Sequence, residues 1–442
     1  MYIDKIILKN IKGFEELEFS LSRGNDEYAG WTVFTGDNGA GKSTLLKAIA
    51  VALTGKDTAR SLQPSFHRWI REGAGAQDAK IELLVVPEKG VDDFSSGGRI
   101  SDKIFPASIS LKSIGKETSV DIPETVKNKK TPAERGLWST ESHGWFSCGY
   151  GPFRRVFGAS PEATRLMVEP MTERFVTMFQ EAASLYEVGQ WLRNLNHKKL
   201  EGKTTESAQL DLLLEILRDD LMPNQITVDR VDSDGLWLKD RNGLQLAWSE
   251  MSDGYRSALA LLADILRHLI SAYGLEGLTE RGDDNKLRVT RGGVVLIDEI
   301  DAHLHPEWQR EIGFWLKRHF PKIQFLVTTH SPIICQAADK NGLFVLPEPG
   351  SYAKPRALTT EEYNQVIASR PDTILLSSAF GLQNTRSPRA VEGRAELSKL
   401  QAKKRAQHGV DIEECIAAAY SEIKDRKGRM VDGVFIKEVK HE

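Results

Sequence analysis

The sequence predicts an α/β protein with a mixed, partly parallel sheet, arranged as two lobes around a short helical insertion and ending in a helical tail. Three observations carry that expectation. A glycine-rich loop, TGDNGAGKST, sits between a strand-like run at 31–35 and a stretch of helical spacing at 43–53. Two unbroken apolar runs, 293–297 and 324–328, flank a helical stretch at 310–320. Buried parallel strands joined by a right-handed crossover read this way. Earlier in the chain, residues 161–221 read as short helices instead of strand.

At 442 residues the chain exceeds one ordinary core, so roughly two to three domains are expected. The composition places boundaries at 1–158 (a lobe with the glycine loop), 159–224 (the helical insertion), 225–345 (a second lobe) and 346–442 (a charged helical region). In order, 2–9 is a strand with 17–21 as its hairpin partner, and the helix over 43–53 stops at Gly55. Strands follow at 81–86 and 107–111, separated by a polar, glycine-rich loop near 92–98. Helices are expected at 161–185, 187–195 and 207–221, then short strands over 225–248. Leu259, Leu262, Ile265, Leu266, Leu269 and Ile270 put one apolar stripe on a helix at 254–273.

Hydrophobic content of 40%, charged content of 27% and a net charge of −3 describe a globular chain with no overall basic field. A nucleic-acid contact therefore needs a local patch, such as 127–130 or 403–405; a solvated helical face is the plainer reading of the latter. No run approaches the roughly 18 apolar residues of a membrane span, and residues 1–16 carry no secretory pattern. Cys148, Cys335 and Cys415 form no CxxC pair. A reduced, cytoplasmic protein with no membrane partner and no thiolate zinc site is expected.

Four motifs carry chemistry. Gly36-Asp37-Asn38-Gly39-Ala40-Gly41-Lys42-Ser43 matches the phosphate-binding pattern G-x-x-x-x-G-K-S, followed by Thr44. Its glycines turn backbone N–H groups toward phosphate oxygens, Lys42 offers charge to the β- and γ-phosphates, and the Ser43 hydroxyl ligates Mg²⁺. ATP and Mg²⁺ are the expected cofactors. The apolar run 293–297 ends in Asp298-Glu299. Asp298 is placed to hold Mg²⁺ and Glu299 to polarise the attacking water. The run 324–328 ends in Thr329-His330, and His330, one strand away, can reach a γ-phosphate. Met251-Ser252-Asp253-Gly254-Tyr255-Arg256 opens the helix at 254–273. Spacing alone leaves two readings of it, an anion-binding helix start or a plain helix cap.

Together these motifs resemble the ABC-type ATPase heads of the branch that includes chromosome-maintenance and recombination-repair proteins. The resemblance implies a two-lobed ABC-type P-loop ATPase head. Asn38 matches the Asn of that branch's G-x-N-G-x-G-K-S/T loop, and Ser252 and Gly254 fall in its L-S-G-G-x signature, which completes the nucleotide site of a facing subunit. Met251, Asp253 and Tyr255 depart from that signature. A narrower likeness, covering most of residues 1–345, is to the overcoming-lysogenization-defect ATPases. It rests on Ile297-Asp298-Glu299-Ile300-Asp301-Ala302-His303-Leu304-His305-Pro306 and Thr329-His330-Ser331-Pro332. Within that group, 252–256 and Gly149-Tyr150-Gly151-Pro152-Phe153-Arg154 are similar to the Septu-type and retron-associated ATPases. Those are proposed anti-phage sensors that work with a separate nuclease.

The resemblance implies a homodimer or higher homo-oligomer that sandwiches ATP between heads, with a separate nuclease subunit as partner. It puts Asp301 in the loop that couples the two sites. It places Arg154 near the nucleotide, to touch phosphate or the opposite subunit, with strand-end packing as the other reading. Gln63 is a weaker candidate for sensing the γ-phosphate. His303 and His305 fit a loop-fixing role better than a zinc pair. Val391-Glu392-Gly393 lacks the preceding apolar strand and the later Asp-x-Asp of an appended nuclease domain, so no built-in nuclease is expected. The alternative reading is a stand-alone repair or recombination ATPase that clamps DNA through its basic clusters.

Overall fold

The computed structural model describes residues 1–73, 78–95, 103–114, 117–122, 130–156, 170–351, 353–408, 428–431 and 434–437. Two sheets form the body. In the first, strands β1 (Tyr2–Ile11), β2 (Phe14–Ser20), β4 (Asp78–Val86), β5 (Phe105–Ile114) and β6 (Glu117–Asp121) are all antiparallel, in the order β2-β1-β4-β5-β6. Their alternation lays Ile6, Leu8, Ile81, Leu83 and Ile109 onto the helix Lys42–Leu62.

The second sheet runs β16-β15-β3-β14-β13-β7, where β3 is Gly30–Thr35, β7 Ser147–Tyr150, β13 Gly293–Ile297, β14 Ile323–Thr328, β15 Leu343–Val345 and β16 Arg356–Ala357. All pairs are parallel except the edge pair β15·β16. Because β3, β7, β13 and β14 run the same way, the residues following them emerge at one edge, where a parallel sheet builds its site. Every residue of β13 and β14 is buried, as expected for the apolar runs of a parallel sheet covered on both faces. Gln324, the polar exception in β14, is satisfied by Ile3 of β1, whose N–H and C=O it meets at 2.8 Å each.

Two expected elements differ. The helix that begins at Lys42 does not end at Gly55; it breaks there (φ 77°) and resumes to Leu62. Trp138 fills the break, since a Cβ on Gly55 would lie 2.8 Å from its ring, and its Nε1 donates to the freed Ala52 carbonyl at 2.9 Å. Within the helix expected over 161–185, residues 161–169 lie outside the described residues. The remainder is two short helices, Pro170–Glu173 and Val176–Phe179. Gly149 of β7 donates to the Arg174 carbonyl at 2.8 Å, which takes that carbonyl out of any helical ladder. The helices Tyr186–Leu200 and Thr204–Arg218 pair with each other and pack on strands β8 (Thr227–Asp232) and β9 (Gly235–Lys239) and on the helix Asp253–Tyr273, inside one core.

The chain divides at 380/381 into Met1–Phe380 and Gly381–Glu442. The boundary drawn from composition at 345/346 lies earlier, because Val366, Ile374 and Ala379 bury themselves in the core of the first unit. The second unit holds a helix, Pro388–His408, and an antiparallel hairpin, Gly428–Val431 with Val434–Lys437, so it is not helical throughout. Among the described residues, no helix is long and apolar enough to cross a membrane.

Candidate functional site

The glycine loop leaves the end of β3 and turns on three glycines with positive φ, Gly36 (150°), Gly39 (81°) and Gly41 (94°). Close approach demands them too: a Cβ on Gly36 would lie 2.6 Å from the Leu346 carbonyl oxygen, and one on Gly41 2.7 Å from the Phe14 ring. Asn38 stands exposed on the loop, Ala40 is buried, and Ala40 N–H closes a turn on the Asp37 carbonyl at 3.1 Å. Gly41 caps the helix without a side chain, so its first N–H groups stay directed at the loop. Lys42 is 5% exposed and its Nζ donates to the carbonyls of Gly36 (2.8 Å) and Asp37 (2.9 Å). Burial pulls its ammonium below the ordinary value, against the opposing field of Glu299, Asp298, Asp37 and Asp301. Lys42 and the carboxylates after β13 therefore share one electrostatic environment. Ser43 and Thr44, half-buried, open the helix beside them.

Beyond β13 the two carboxylates differ. Asp298 is buried; its N–H donates to the Tyr150 carbonyl at 2.8 Å, and its Oδ1 accepts from Thr328 Oγ1 at 2.5 Å. No hydrogen bond among the described residues reaches its Oδ2, which leaves a carboxylate oxygen of the kind a hydrated Mg²⁺ takes. Glu299 is half-buried and sits at φ 47°, left-handed backbone that costs a non-glycine residue on the order of 1–3 kcal/mol. Thr328 Oγ1 also accepts from the Glu299 N–H at 2.7 Å. The next threonine repeats the device: Thr329 Oγ1 donates to Asp301 Oδ1 at 2.5 Å. His330 follows, half-buried at the end of β14. Gln309 closes the turn, its Nε2 donating to the Leu304 carbonyl (2.8 Å) and its Oε1 accepting from Ser331 Oγ (2.6 Å).

Arg154 does not reach toward the phosphate loop. It is 4% exposed, and both Nη nitrogens donate to carbonyls of its own chain: Gly151 (3.1 Å), Asp298 (2.8 Å) and Glu299 (3.0 Å), with longer contacts to Ile300 and Ala302. The converging carbonyls after β13 satisfy a guanidinium that burial would otherwise leave unpaired. Gln63 likewise turns into its own loop, donating to the Ser65 carbonyl at 2.7 Å.

Ser252 is the exposed N-cap of the helix Asp253–Tyr273, yet its hydroxyl makes no capping bond. Gly254 is required by proximity, since a Cβ there would lie 2.2 Å from the His303 carbonyl oxygen. Tyr255 packs at a tilt against Trp308 (centroids 4.9 Å apart), so with Gly254 against His303 the segment is docked on the turn that carries Asp301 and on the helix after it. His305 caps the helix Pro306–His319, its Nδ1 accepting from the Glu307 N–H at 3.4 Å. Sequence reasoning assigned no role to Thr328 and Thr329, because a polar residue closing an apolar strand looks like ordinary solvation, nor to Gln309, which reads as a solvated residue in the first turn of the helix Pro306–His319.

Residues 31–336, which hold the loop, the carboxylates and the histidine, match the family described as "AAA domain, putative AbiEii toxin, Type IV TA system". The chain belongs to this family of AAA-type ATPases. Similar proteins include the "Septu protein PtuA" of Bacillus mycoides strain KBAB4, 28% identical over 390 residues, which are 87% of this chain and 45% of that protein. The "Retron Ec83 probable ATPase" of Escherichia coli is 25% identical over 80% of this chain and 73% of its own length. This AAA-domain chain thus spans less than half of the first relative and about three quarters of the second. Among solved structures, the SMC head domain from Thermotoga maritima aligns over 81% of this chain and 100% of its own, with 15% identity and a TM-score of 0.43.

Proposed function

We propose that this chain is an ATP-hydrolysing switch whose heads close over nucleotide and control a separate nuclease in anti-phage defence. The observation that carries the reading is that the glycine loop after β3, Asp298 and Glu299 after β13 and His330 after β14 emerge from neighbouring parallel strands at one edge of the sheet. Gly36, Asn38, Gly39, Ala40, Gly41, Lys42, Ser43 and Thr44 cradle the triphosphate. Ser43 and Asp298 would hold Mg²⁺, which neutralises phosphate charge when bound. Glu299 takes the proton of the attacking water and His330 faces the γ-phosphate. Ser252 and Gly254 of a second copy cover that phosphate, and Asp301, joined to the Ser252 segment by its own turn, links the two sites. The defence role and the separate nuclease partner rest on the likeness to the Septu and retron proteins.

The test is the Glu299→Gln protein isolated from its native locus with ATP. Turnover should fall by about 10²- to 10⁴-fold, as for loss of a general base, while ATP stays bound. The native mass should be that of a homodimer or larger carrying a second protein with nuclease motifs. A monomer with ATP bound would overturn head closure. A bare dimer that retains DNA would replace the nuclease switch with a DNA clamp.

A further inference from the structure

Glu299 sits in the left-handed region (φ 47°), which residue types other than glycine leave readily unless their surroundings hold them there. Two neighbouring strands hold it there. From β14, Thr328 Oγ1 accepts the Glu299 N–H at 2.7 Å. From the end of β7, Arg154 Nη2 donates to the Glu299 carbonyl at 3.0 Å, while Nη1 takes the preceding Asp298 carbonyl at 2.8 Å. Both peptide planes that flank Glu299 are therefore gripped, and the guanidinium spans two successive carbonyls that its φ of 47° turns to one side.

We propose that Arg154 is a positioning residue for hydrolysis, setting the Glu299 carboxylate through the backbone of the turn after β13 without touching nucleotide. The inference rests on the reading of Glu299 as the base. A neutral side chain would leave these carbonyls unpaired in a buried site. A lysine would bring the charge but not the planar fork needed to bridge carbonyls of different peptide planes. Burial pushes the guanidinium down to about 10, so it remains charged at neutral pH. The arrangement also ties the base to β7, whose Tyr150 carbonyl accepts the Asp298 N–H.

The measurement is steady-state ATP turnover beside nucleotide affinity for the full chain, Arg154→Ala and Arg154→Lys, each with and without millimolar guanidinium or ammonium chloride. The expectation for Arg154→Ala is kcat lower by about 100-fold, the effect of misplacing a reacting group by about 1 Å. Nucleotide affinity should stay within roughly threefold, because the lost interaction is one that matters only in the transition state. Guanidinium ion should restore part of kcat to Arg154→Ala; ammonium ion and the lysine variant should not. An affinity loss that parallels kcat would make Arg154 a nucleotide ligand and overturn the proposal, as would unchanged kcat in either variant. If Arg154→Ala does not fold, Arg154→Lys is read the same way, and failure of both to fold assigns the residue to the fold and not to the base. A wild-type chain without turnover sinks the ATPase reading itself, an outcome distinct from any of these.

Discussion

Thr328 closes β14 and Thr329 follows it, and each takes a different carboxylate, Asp298 or Asp301. Thr328 does double duty, donating to Asp298 and accepting from the Glu299 N–H. Replacing it by the near-isosteric valine leaves a buried acceptor and a donor without partners, each worth about 1–3 kcal/mol. Thr328→Val should lower both unfolding stability in urea and ATP turnover, and Thr328→Ser should recover most of both. A valine variant with wild-type turnover would mean that Asp298 and Glu299 are set by the strand alone.

The helix Asp253–Tyr273 joins the exposed Ser252 to the interior through one buried cluster. Asp264, 3% exposed, accepts from Tyr150 Oη (3.0 Å) and pairs with Arg267 (2.8 Å) and His268 (3.2 Å), and Arg267 goes on to Glu173 (2.6 Å). Burial alone would raise the Asp264 carboxyl, but the neighbouring His268 and Arg267 hold it well below the usual carboxylate range. A folded-state value below the unfolded one means the unfolded chain takes up this proton first, so the contribution is whole at neutral pH and is lost as acid is added below about pH 4. Asp264→Asn removes the charge that Arg267 faces, which for a broken buried pair costs about 3–5 kcal/mol. Thermal unfolding from pH 7 to 3 should show the variant less stable throughout but with a flatter acid decline. An identical decline in both proteins would exclude Asp264 as its source. The periodicity of this helix was plain in its leucines, whereas the cluster was not. Asp264 and Arg267 look like ordinary helix-surface charges until Tyr150 and Glu173, far away in sequence, arrive beside them.

At the scale of the molecule, both hydrophobic clusters found among the described residues lie within residues 1–380. A chain ending at Phe380 should therefore unfold cooperatively within a few degrees of the full chain, since a stability change under about 1 kcal/mol shifts Tm only by a few degrees at this size. Aggregation or non-cooperative melting of that truncation would show that residues beyond 380 complete the fold. The sequence by itself determined the elements whose signal is local: the glycine loop, the apolar strands β13 and β14, and the amphipathic helix behind Ser252. Period, glycine placement and strand-end carboxylates are short-range patterns, so they are legible in one chain. Tertiary structure alone decided that Arg154 grips carbonyls, that Thr328 and Thr329 hold two different carboxylates, that Gln324 ties the two sheets together, and that Gly55 bends a helix under Trp138 instead of ending it. The physical reason is common to all four. A polar side chain in a buried setting takes whichever partner the fold delivers, and that partner comes from a distant part of the chain that no local pattern names.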